Sequence, residues 1–426
     1  MSLERLDRLV SAHKAGAPAG LVSICSSHPT VLRAAMRRAA REGGGLLIES
    51  TCNQVNQFGG YTGMTPADFT AYIRGLAGEA GLDASGLLLG GDHLGPSVWQ
   101  EEPAAEAMAK AESLVRAYVL QGYLKIHLDA SMHLGDDDPV KPLDVELAAR
   151  RSAELARSAE QAHAERPELP APRYVIGTEV PIPGGARQHE QGVQVTRPED
   201  ARTTLEATRR EFQRLGLETA WERVVALVVQ PGVEFGDDFV LDYRREAARP
   251  LVEFIEGWPA LVYEAHSTDY QTAGALAQLA ADHFAIQKVG PALTFAFRQA
   301  AFALSFIEAE LVEPDARSGL AQALETAMLR TPRYWQAHYH GTPAEQAFAR
   351  RYSLSDRVRY YWTDPAVQAA LARLLSNLSP RQLPLSLLSQ FTPAQYGRVR
   401  DGRLANDPQA ILQDAVEQVL ADYPAD

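Results

Sequence analysis

Two histidines, each at the carboxyl end of a different predicted strand, could hold one metal ion between them. His93 follows the third strand and His266 follows the seventh. Imidazole nitrogen suits zinc and similar transition metals, and catalytic zinc usually has three protein ligands and one open position. Glu179 would then be the third ligand, with Gln230 supporting or ligating the ion. The alternative is a pair of hydrogen-bonded site histidines without a metal.

Three acidic residues are candidates for proton transfer beside such an ion. Asp92 directly precedes His93, so one of the two could hold the metal while the other reaches the substrate. This division suits a general acid or base next to a Lewis acid. Asp129 ends the fourth strand, and Glu179 could act in proton transfer as well as in ligation. The alternative role for Asp92 is to cap the loop that follows it.

The fourth predicted strand, 123–130, alternates apolar and polar side chains. Because successive strand residues point to opposite faces, Lys125, His127 and Asp129 share one face, which we expect to be the inside of the sheet. A buried Lys125 would require a carboxylate partner, and Glu264 or Asp129 could serve. A structural polar core around Lys125 and His127 is the alternative interpretation.

Polar residues near other strand ends could contact an anionic substrate. Ser267 stands where a helix is predicted to open, and backbone N–H groups there would attract a phosphate, although simple N-capping is an alternative. Lys288 could bind an anion or form a Schiff base. Arg357, in the segment 353–362, could clamp a phosphate or fasten that segment to the rest of the protein. The candidates for substrate contact are Ser27, Asn53, Ser131, Ser267, Lys288 and Arg357.

These residues are positioned by short apolar runs that alternate with helical patterns. Strands are predicted at 21–26, 46–50, 86–93, 123–130, 173–180, 223–230, 260–266 and 283–290. Helices are predicted near 29–42, 66–81, 102–120, 143–166, 198–215, 244–255, 270–281 and 291–310. Eight βα repeats close most naturally into a (β/α)8 TIM barrel, whose active site lies at the carboxyl ends of the strands. A doubly wound sheet is the alternative, but it would usually have a Gly-rich turn after its first strand, where this chain has Ser26-Ser27-His28-Pro29.

The strand pattern stops near residue 311. Residues 311–426 have a helical pattern interrupted by prolines, and no long Gly/Ser linker precedes them. We therefore expect a barrel domain over 1–310 and a C-terminal helical extension over 311–426 that packs on it, as a cover of the active site or as a subunit interface. A detached second domain is the alternative.

Composition excludes several classes of protein. The 426 residues include 41 Lys and Arg against 54 Asp and Glu, a net charge of −13 that argues against a general nucleic-acid binder. Two cysteines are too few for a disulfide framework or a cysteine-ligated zinc site. The N-terminus lacks the apolar run of a signal peptide, and no run of 18 apolar residues predicts a membrane span. We expect a cytoplasmic protein.

Five motifs follow one another along the chain. They are GGDHLGP (90–96), IHLDAS (126–131), GTEVPIPGG (177–185), EAHSTDYQT (264–272) and SLSDRVRYYW (353–362). Together they resemble the tagatose-bisphosphate aldolase Z-subunit family, the GatZ/KbaZ type. The resemblance covers nearly the whole chain and implies a (β/α)8 barrel related to class II fructose-bisphosphate aldolases. Those enzymes use a divalent metal, usually zinc, and here manganese, cobalt, nickel and magnesium are further options.

The resemblance also implies roles for individual residues. Asp92 matches the proton donor of those aldolases, and His93 and His266 match two of their metal ligands. Their remaining histidine ligand, after strand six, is not matched, because this chain has Gln230-Pro231-Gly232-Val233 there. Glu179 or Gln230 is left to complete the metal site.

The functions implied for this family differ between its members. We expect 4-epimerisation between tagatose 6-phosphate and fructose 6-phosphate, through cleavage and re-formation of the C3–C4 bond. One alternative is class II cleavage of tagatose 1,6-bisphosphate to dihydroxyacetone phosphate and glyceraldehyde 3-phosphate. The other is a non-catalytic subunit that stabilises a separate aldolase. The expected partners are thus a phosphorylated ketohexose and further copies of the chain, with a separate aldolase subunit as the alternative partner, and with no nucleic acid and no membrane.

Overall fold

Eight parallel strands close into a barrel in the computed structural model, which describes residues 3–17, 19–178 and 193–424. Neighbouring strands follow the chain around the barrel, and the last strand, β10, pairs with β1. The barrel strands are Leu21–Ile24 (β1), Leu46–Thr51 (β2), Leu87–Leu94 (β3), Lys125–Leu128 (β4), Arg173–Ile176 (β5), Val224–Val228 (β6), Val262–Ala265 (β9) and Ile286–Val289 (β10). The predicted (β/α)8 barrel is therefore confirmed, with shorter strands than the apolar runs suggested.

A helix follows each barrel strand and covers the outside of the sheet. These helices are Pro29–Glu42 (α2), Pro66–Ala80 (α3), Ala104–Leu120 (α4), Val145–Ala164 (α5), Pro198–Arg214 (α6), Arg245–Glu256 (α8), Ala273–Ala281 (α9) and Pro291–Leu311 (α10), with a short additional helix at Glu218–Trp221 (α7). Thr65 begins α3 with a capping box, since its side chain accepts from the Asp68 N–H and the Asp68 carboxylate accepts from the Thr65 N–H. Proline in the first turn of several helices fits positions where no backbone donor is needed.

One predicted helix start is confirmed and another is wrong. Helix α2 begins at Pro29 as predicted, after His28, whose side chain makes no capping bond. After the strand that ends at Ala265, the next helix begins only at Ala273, and Thr272 caps it by accepting from the Ala275 N–H. Ser267 therefore lies in a loop and not at a helix N-terminus.

Helix Leu3–Lys14 (α1) fills the amino end of the barrel. Its apolar face packs on the inward-pointing residues at the start of the strands, with Leu6 fully buried against side chains that include Leu47 and Val175. This helix leaves the opposite end of the barrel, where the strands finish, as the end that can receive a ligand. An additional two-stranded hairpin, Glu234–Phe235 (β7) and Val240–Leu241 (β8), lies after β6 and was not predicted.

The chain after α10 is helical, as predicted. Its helices are Leu320–Arg330 (α11), Pro343–Tyr352 (α12), Pro365–Leu378 (α13), Leu385–Phe391 (α14), Pro393–Arg400 (α15) and Pro408–Ala421 (α16). The last of these, α16, packs on both α10 and α2, so it contributes to the outer layer of the barrel. No helix in the described ranges is both long enough and apolar enough to span a membrane.

Candidate active site

The interior of the barrel holds a lysine between two glutamates. Lys125 Nζ lies 2.6 Å from Glu49 Oε1 and 2.5 Å from Glu264 Oε2, and all three side chains are fully buried. Burial by itself would lower the pKa of Lys125, but the two carboxylates outweigh it and the pKa is raised. Lys125 is therefore a charged structural group, and the Schiff-base alternative has no support at this position.

Two carboxylates were predicted as partners of Lys125, and one of these predictions is confirmed. Glu264 is a partner, whereas Asp129 is not, because its Oδ2 pairs with His93 Nδ1 at 2.8 Å. The second partner, Glu49, comes from β2, on the far side of β3 from Lys125. Gly90 on β3 makes this possible, since a Cβ atom there would lie 2.5 Å from Glu49 Oε1.

Three histidine rings and one carboxylate converge just above this lysine. They belong to Asp92, His93, His127 and His266, each of which offers a ligand atom within 4.8 Å of the others. All four side chains are buried, and His93 and His266 are each 4% exposed as residues. The predicted pair, His93 and His266, is thus brought together, and Asp92 lies beside it as expected.

His127 joins this group although it was not predicted as a ligand. Strand alternation correctly pointed it into the barrel, but sequence alone did not distinguish a ligand from a core histidine. Its Nδ1 lies 3.0 Å from Asp92 Oδ1, and its buried Nε2 has no hydrogen-bond partner among the described residues. An unpartnered buried imidazole nitrogen beside two other histidines is what a metal ligand without its ion would look like.

The chemistry of the donors also fits a divalent transition metal. Burial lowers the pKa of His127 and of His266 to about 4, so both rings are neutral at pH 7, the form that binds metals. Carboxylates orient the outer rings: His93 Nδ1 pairs with Asp129, and His266 Nε2 lies 3.0 Å from Glu264 Oε1. Such carboxylate–histidine pairs are typical around bound metals.

The charge of the barrel interior also favours a bound divalent cation. Four buried carboxylates, those of Glu49, Asp92, Asp129 and Glu264, face two lysines, Lys125 and Lys288. The carboxylates thus outnumber the lysines by two. Burying unbalanced charge is costly, and one divalent cation would neutralise it.

The other two predicted ligands are not part of this group as described. Glu179 lies outside the described residues. Gln230 turns its amide oxygen onto its own loop, where it accepts from the Gly232 N–H at 2.8 Å and the Val233 N–H at 3.1 Å. The structure therefore corrects the expectation for Gln230: this oxygen organises the loop after β6, and His127 stands in the cluster instead.

A first cavity of about 660 Å³ opens from this group toward the carboxyl ends of the strands. It is lined by residues from β1, β2, β3, the β9–α9 loop, β10 and the extension: Cys25, Thr51, Asn53, Gln54, Tyr61, Asp92, His93, Phe235, His266, Ser267, Asp269, Lys288, Val289, Gly290, Pro291, Arg359 and Tyr360. The predicted substrate contacts Asn53, Ser267 and Lys288 all lie here. Ser267 has a left-handed backbone, with φ of 53°, in the loop that also carries His266.

Lys288 has a specific place in this cavity. Its Nζ contacts Asp92 Oδ1 and lies 3.4 Å from Glu264 Oε1. Asp92 therefore does not cap the following loop, because its oxygens meet Lys288 and His127. The ammonium of Lys288 favours the ionised form of the Asp92 carboxylate.

A second cavity of about 2150 Å³ adjoins the first and shares Asn53, Tyr61, His93 and Tyr360 with it. It contains the predicted residues Asp129, Ser131 and Arg357. Ser131 Oγ donates to Asp129 Oδ1 at 2.6 Å, which holds the carboxylate that orients His93. The pKa of Asp129 is lowered, because hydrogen bonds and positive charge from the His93 side outweigh the effect of burial.

The segment 353–362 fastens the extension to the barrel and also reaches the cavities. The fastening is made by Asp356, which pairs with Arg298 on α10, and not by Arg357. The side chain of Arg357 lies in the second cavity, where its Nη2 is 3.0 Å from His338 Nδ1. The fastening interpretation is therefore confirmed for Asp356, and the phosphate clamp at Arg357 stays a prediction.

Ser27 is half-buried and lies at the edge of the site. Burial raises the pKa of the neighbouring Tyr61 phenol to about 12, and the Ser27 side chain opposes that shift. Its contact with substrate stays a prediction.

Sequence reasoning missed several residues at the mouth, chiefly Tyr61, Arg359 and Tyr360. At the start of α10, Asp269 accepts from the Gly290 N–H at 3.0 Å and the Ala292 N–H at 2.8 Å. Burial raises the pKa of Asp269 to about 6, against these hydrogen bonds. A carboxylate thus takes the place that a phosphate could have had at this helix.

Comparison with known proteins identifies the family. The model of the D-tagatose-1,6-bisphosphate aldolase subunit GatZ/KbaZ-like family matches residues 6–426. A crystal structure described as a probable tagatose 6 phosphate kinase from Sinorhizobium meliloti 1021 is 46% identical, with a TM-score of 0.87, and the match covers 95% of this chain and 99% of that chain.

Two aldolase structures match far more weakly. The YdjI aldolase from Escherichia coli K12 is 11% identical with a TM-score of 0.41, over 85% of this chain and 94% of that chain. Fructose-bisphosphate aldolase from Campylobacter jejuni is 12% identical with a TM-score of 0.43, over 89% and 93%. Similarity at this level supports no conclusion about the chain. The family model, by contrast, matches nearly the whole sequence. The protein therefore belongs to the D-tagatose-1,6-bisphosphate aldolase subunit GatZ/KbaZ-like family.

Proposed function

We propose that the protein is a metal-dependent enzyme that interconverts tagatose 6-phosphate and fructose 6-phosphate by epimerisation at C4. The observation that carries the proposal is the convergence of His93, His127 and His266 with Asp92 at the carboxyl end of the barrel, next to a cavity. The sugar is suggested by the family, and by the 46% identical relative, whose name contains tagatose 6 phosphate.

The three histidines would hold a divalent cation, zinc first, with Asp92 beside it. When bound, the cation supplies positive charge that stabilises the negative charge developing on the oxygens of C2 and C3 as the C3–C4 bond breaks. The rings of His93 and His266 are held in orientation by Asp129 and Glu264. Lys125 keeps Glu264 in place through their ion pair.

Asp92 would move the proton of the reaction. As the C3–C4 bond breaks, the hydroxyl on C4 loses its proton and becomes an aldehyde, and an ionised carboxylate must accept that proton. Lys288 contacts Asp92, so a cationic side chain lies beside the carboxylate that would accept this proton. When the bond re-forms, a proton must return to the oxygen on C4.

Re-formation on the other face of the aldehyde inverts C4, and this requires that the two fragments stay bound. Arg359 and Tyr360, from the extension, and Phe235, from the hairpin β7–β8, contribute to the lining of the first cavity. A site walled by the extension as well as by the barrel would limit the escape of fragments and the entry of water. This lining is the reason to propose epimerisation ahead of net cleavage.

Two alternatives remain as proposals with their own support. The family description names an aldolase subunit, which favours class II cleavage of tagatose 1,6-bisphosphate or a non-catalytic role beside a separate aldolase. Assembly with such a subunit, and with further copies of the chain, stays a prediction.

One assay separates these functions. The purified protein is incubated with fructose 6-phosphate or tagatose 1,6-bisphosphate, in zinc, in manganese, or in EDTA. Tagatose 6-phosphate without triose release, lost in EDTA, is the expected result. Release of triose phosphate from the bisphosphate would favour the aldolase. No turnover of either sugar, together with rescue of a partner aldolase, would exclude the proposed enzyme.

A further inference from the structure

The 3₁₀ turn Arg357–Tyr360, in the segment after α12, brings a tyrosine to the junction of the two cavities. Tyr360 lines both of them, as does His93 from the metal-binding group. No proton-transfer step of the proposed reaction involves this residue. Its position is unusual for a residue of the extension, because the other groups shared by the two cavities come from barrel strands and their loops.

The hydroxyl of Tyr360 lies between two guanidinium groups. Arg359 Nη2 donates to it at 3.0 Å, and Arg357 Nη1 approaches it at 3.5 Å. Because both neighbours are donors, the oxygen acts as an acceptor on that side, and its own proton is directed elsewhere. Two adjacent positive charges also stabilise the phenolate form.

The ring of Tyr360 is held by packing. It stacks on Tyr334, with ring centroids 4.7 Å apart and an angle of 6° between the planes. On another side it meets the edge of Tyr61 at 4.8 Å. These contacts fix the direction of the hydroxyl relative to the barrel, which proton transfer to a bound substrate requires.

The turn itself is anchored to the barrel on two sides. The preceding Ser353 donates from Oγ to Asp237 Oδ1 at 2.7 Å, in the hairpin after β6. Tyr270, in the β9–α9 loop, donates from its hydroxyl to the Leu354 carbonyl at 2.6 Å. Tyr360 is therefore placed by the fold as firmly as a residue of the barrel.

We propose that Tyr360 is a second catalytic acid–base group, which serves the face of the C4 aldehyde opposite to that served by Asp92. This inference rests on the proposed epimerisation. In one direction Asp92 takes the proton of the C4 hydroxyl as the C3–C4 bond breaks. The aldehyde turns over, the C3–C4 bond re-forms on the other face, and Tyr360 gives its proton to the oxygen on C4.

Proton exchange with water returns Asp92 and Tyr360 to their starting states after each turnover. After one turnover Asp92 carries an extra proton and the Tyr360 oxygen lacks one, and exchange with solvent restores both groups without an oxidant or reductant. In the reverse direction Tyr360 starts as the phenolate and takes the proton. Burial by itself would raise the pKa of Tyr360, but Arg359 and Arg357 outweigh it, so the pKa lies below its usual value.

The test is Tyr360→Phe, compared with Tyr361→Phe. The control removes a neighbouring phenol whose hydroxyl donates to the Thr331 carbonyl and which is not part of either cavity lining. We expect Tyr360→Phe to lower kcat for interconversion at least about 100-fold, the usual contribution of a general acid or base. Tyr361→Phe should stay within about threefold of wild type.

A partial reaction distinguishes a catalytic role from a packing role. Tyr360→Phe should still cleave the one sugar whose C4 hydroxyl faces Asp92, so glyceraldehyde 3-phosphate, measured with its dehydrogenase, should appear from that sugar only. Interconversion by Tyr360→Phe within threefold of wild type would overturn the inference alone. The inference would also be overturned if Tyr360→Phe lost interconversion to the expected extent but released glyceraldehyde 3-phosphate from neither sugar, with an unchanged circular dichroism spectrum. Wild-type protein that converts neither sugar would overturn the proposed function and this inference together.

Discussion

Asp356, in the segment after α12, and Arg298, on the last barrel helix, form an ion pair that is shielded from solvent. Asp356 Oδ1 accepts from Arg298 Nε at 2.7 Å, and Oδ2 accepts from Thr294 Oγ1 at 2.6 Å. Both partners of the pair are only 1% exposed. They are 58 positions apart in the chain, so this contact fastens the extension to the barrel and places the turn that carries Tyr360.

Replacing Asp356 should therefore destabilise the whole protein. Asp356→Asn keeps the size of the side chain but leaves the charge of Arg298 buried without its partner, which we expect to cost about 3–5 kcal/mol of unfolding free energy. Urea unfolding measures it. The control is Arg249→Gln, since the Arg249–Glu253 pair has side chains 78% and 70% exposed and should contribute little. Equal effects of the two substitutions would contradict the role given to burial.

His127 should be required for metal binding. His127→Ala removes one of three converging imidazoles, and we expect the protein to lose most of its bound zinc, as should His93→Ala and His266→Ala. Elemental analysis after dialysis against limiting zinc measures the content. His340→Ala, at an exposed position of the extension, is the control and should keep the wild-type content. Full retention in the His127 variant would reject the assignment.

Lys125 should be essential for the stability of the barrel. Lys125→Met leaves Glu49 and Glu264 buried, adjacent and without their shared cation, so we expect a loss of at least about 3 kcal/mol or failure to fold. Urea unfolding, or the soluble yield where the protein does not fold, measures this. Adding Glu49→Gln to Lys125→Met should recover part of the loss, because one of the two like charges is removed. A double variant less stable than the single one would contradict the electrostatic explanation.

His28 should make the protein less stable in mild acid. Burial, with the nearby charge of Arg33, lowers the pKa of His28 to about 3, whereas an unfolded histidine has a pKa near 6.5. The unfolded chain therefore binds the extra proton first, so the contribution is fully present above about pH 6.5 and is lost as the pH falls toward 3. Between pH 7 and pH 5 we expect this group to account for roughly 2 kcal/mol of lost stability.

The measurement is urea unfolding at pH 7 and pH 5. His28→Leu should reduce the loss of stability between the two pH values, because leucine binds no proton in either state. His340→Gln, at an exposed site, should change with pH as the wild type does. If His28→Leu and wild type lose the same stability, another group is responsible for the pH dependence.

Local patterns in the sequence were enough to predict the barrel and much of its site. The alternation of 123–130 pointed Lys125, His127 and Asp129 inward, because the direction of a strand side chain depends only on its neighbours in the chain. Polar residues at strand ends marked Asp92, His93 and His266, because parallel strands of a barrel all finish at one end.

The partners of these side chains were decided by the tertiary structure. Lys125 pairs with Glu49 and not with Asp129, since Gly90 on the intervening strand leaves room for a side chain from two strands away. His127 could not be recognised as part of the metal-binding group, because inward direction does not tell how far a ring stands from rings on other strands.

The sequence by itself therefore determined which elements form and which side chains enter the barrel, because period and capping act over a few residues. Only the tertiary structure decided that Asp356 reaches Arg298 and that Tyr360 lines the same cavities as His93. The residues of each pair are 58 or more positions apart, and their arrangement depends on how the extension packs on the closed barrel.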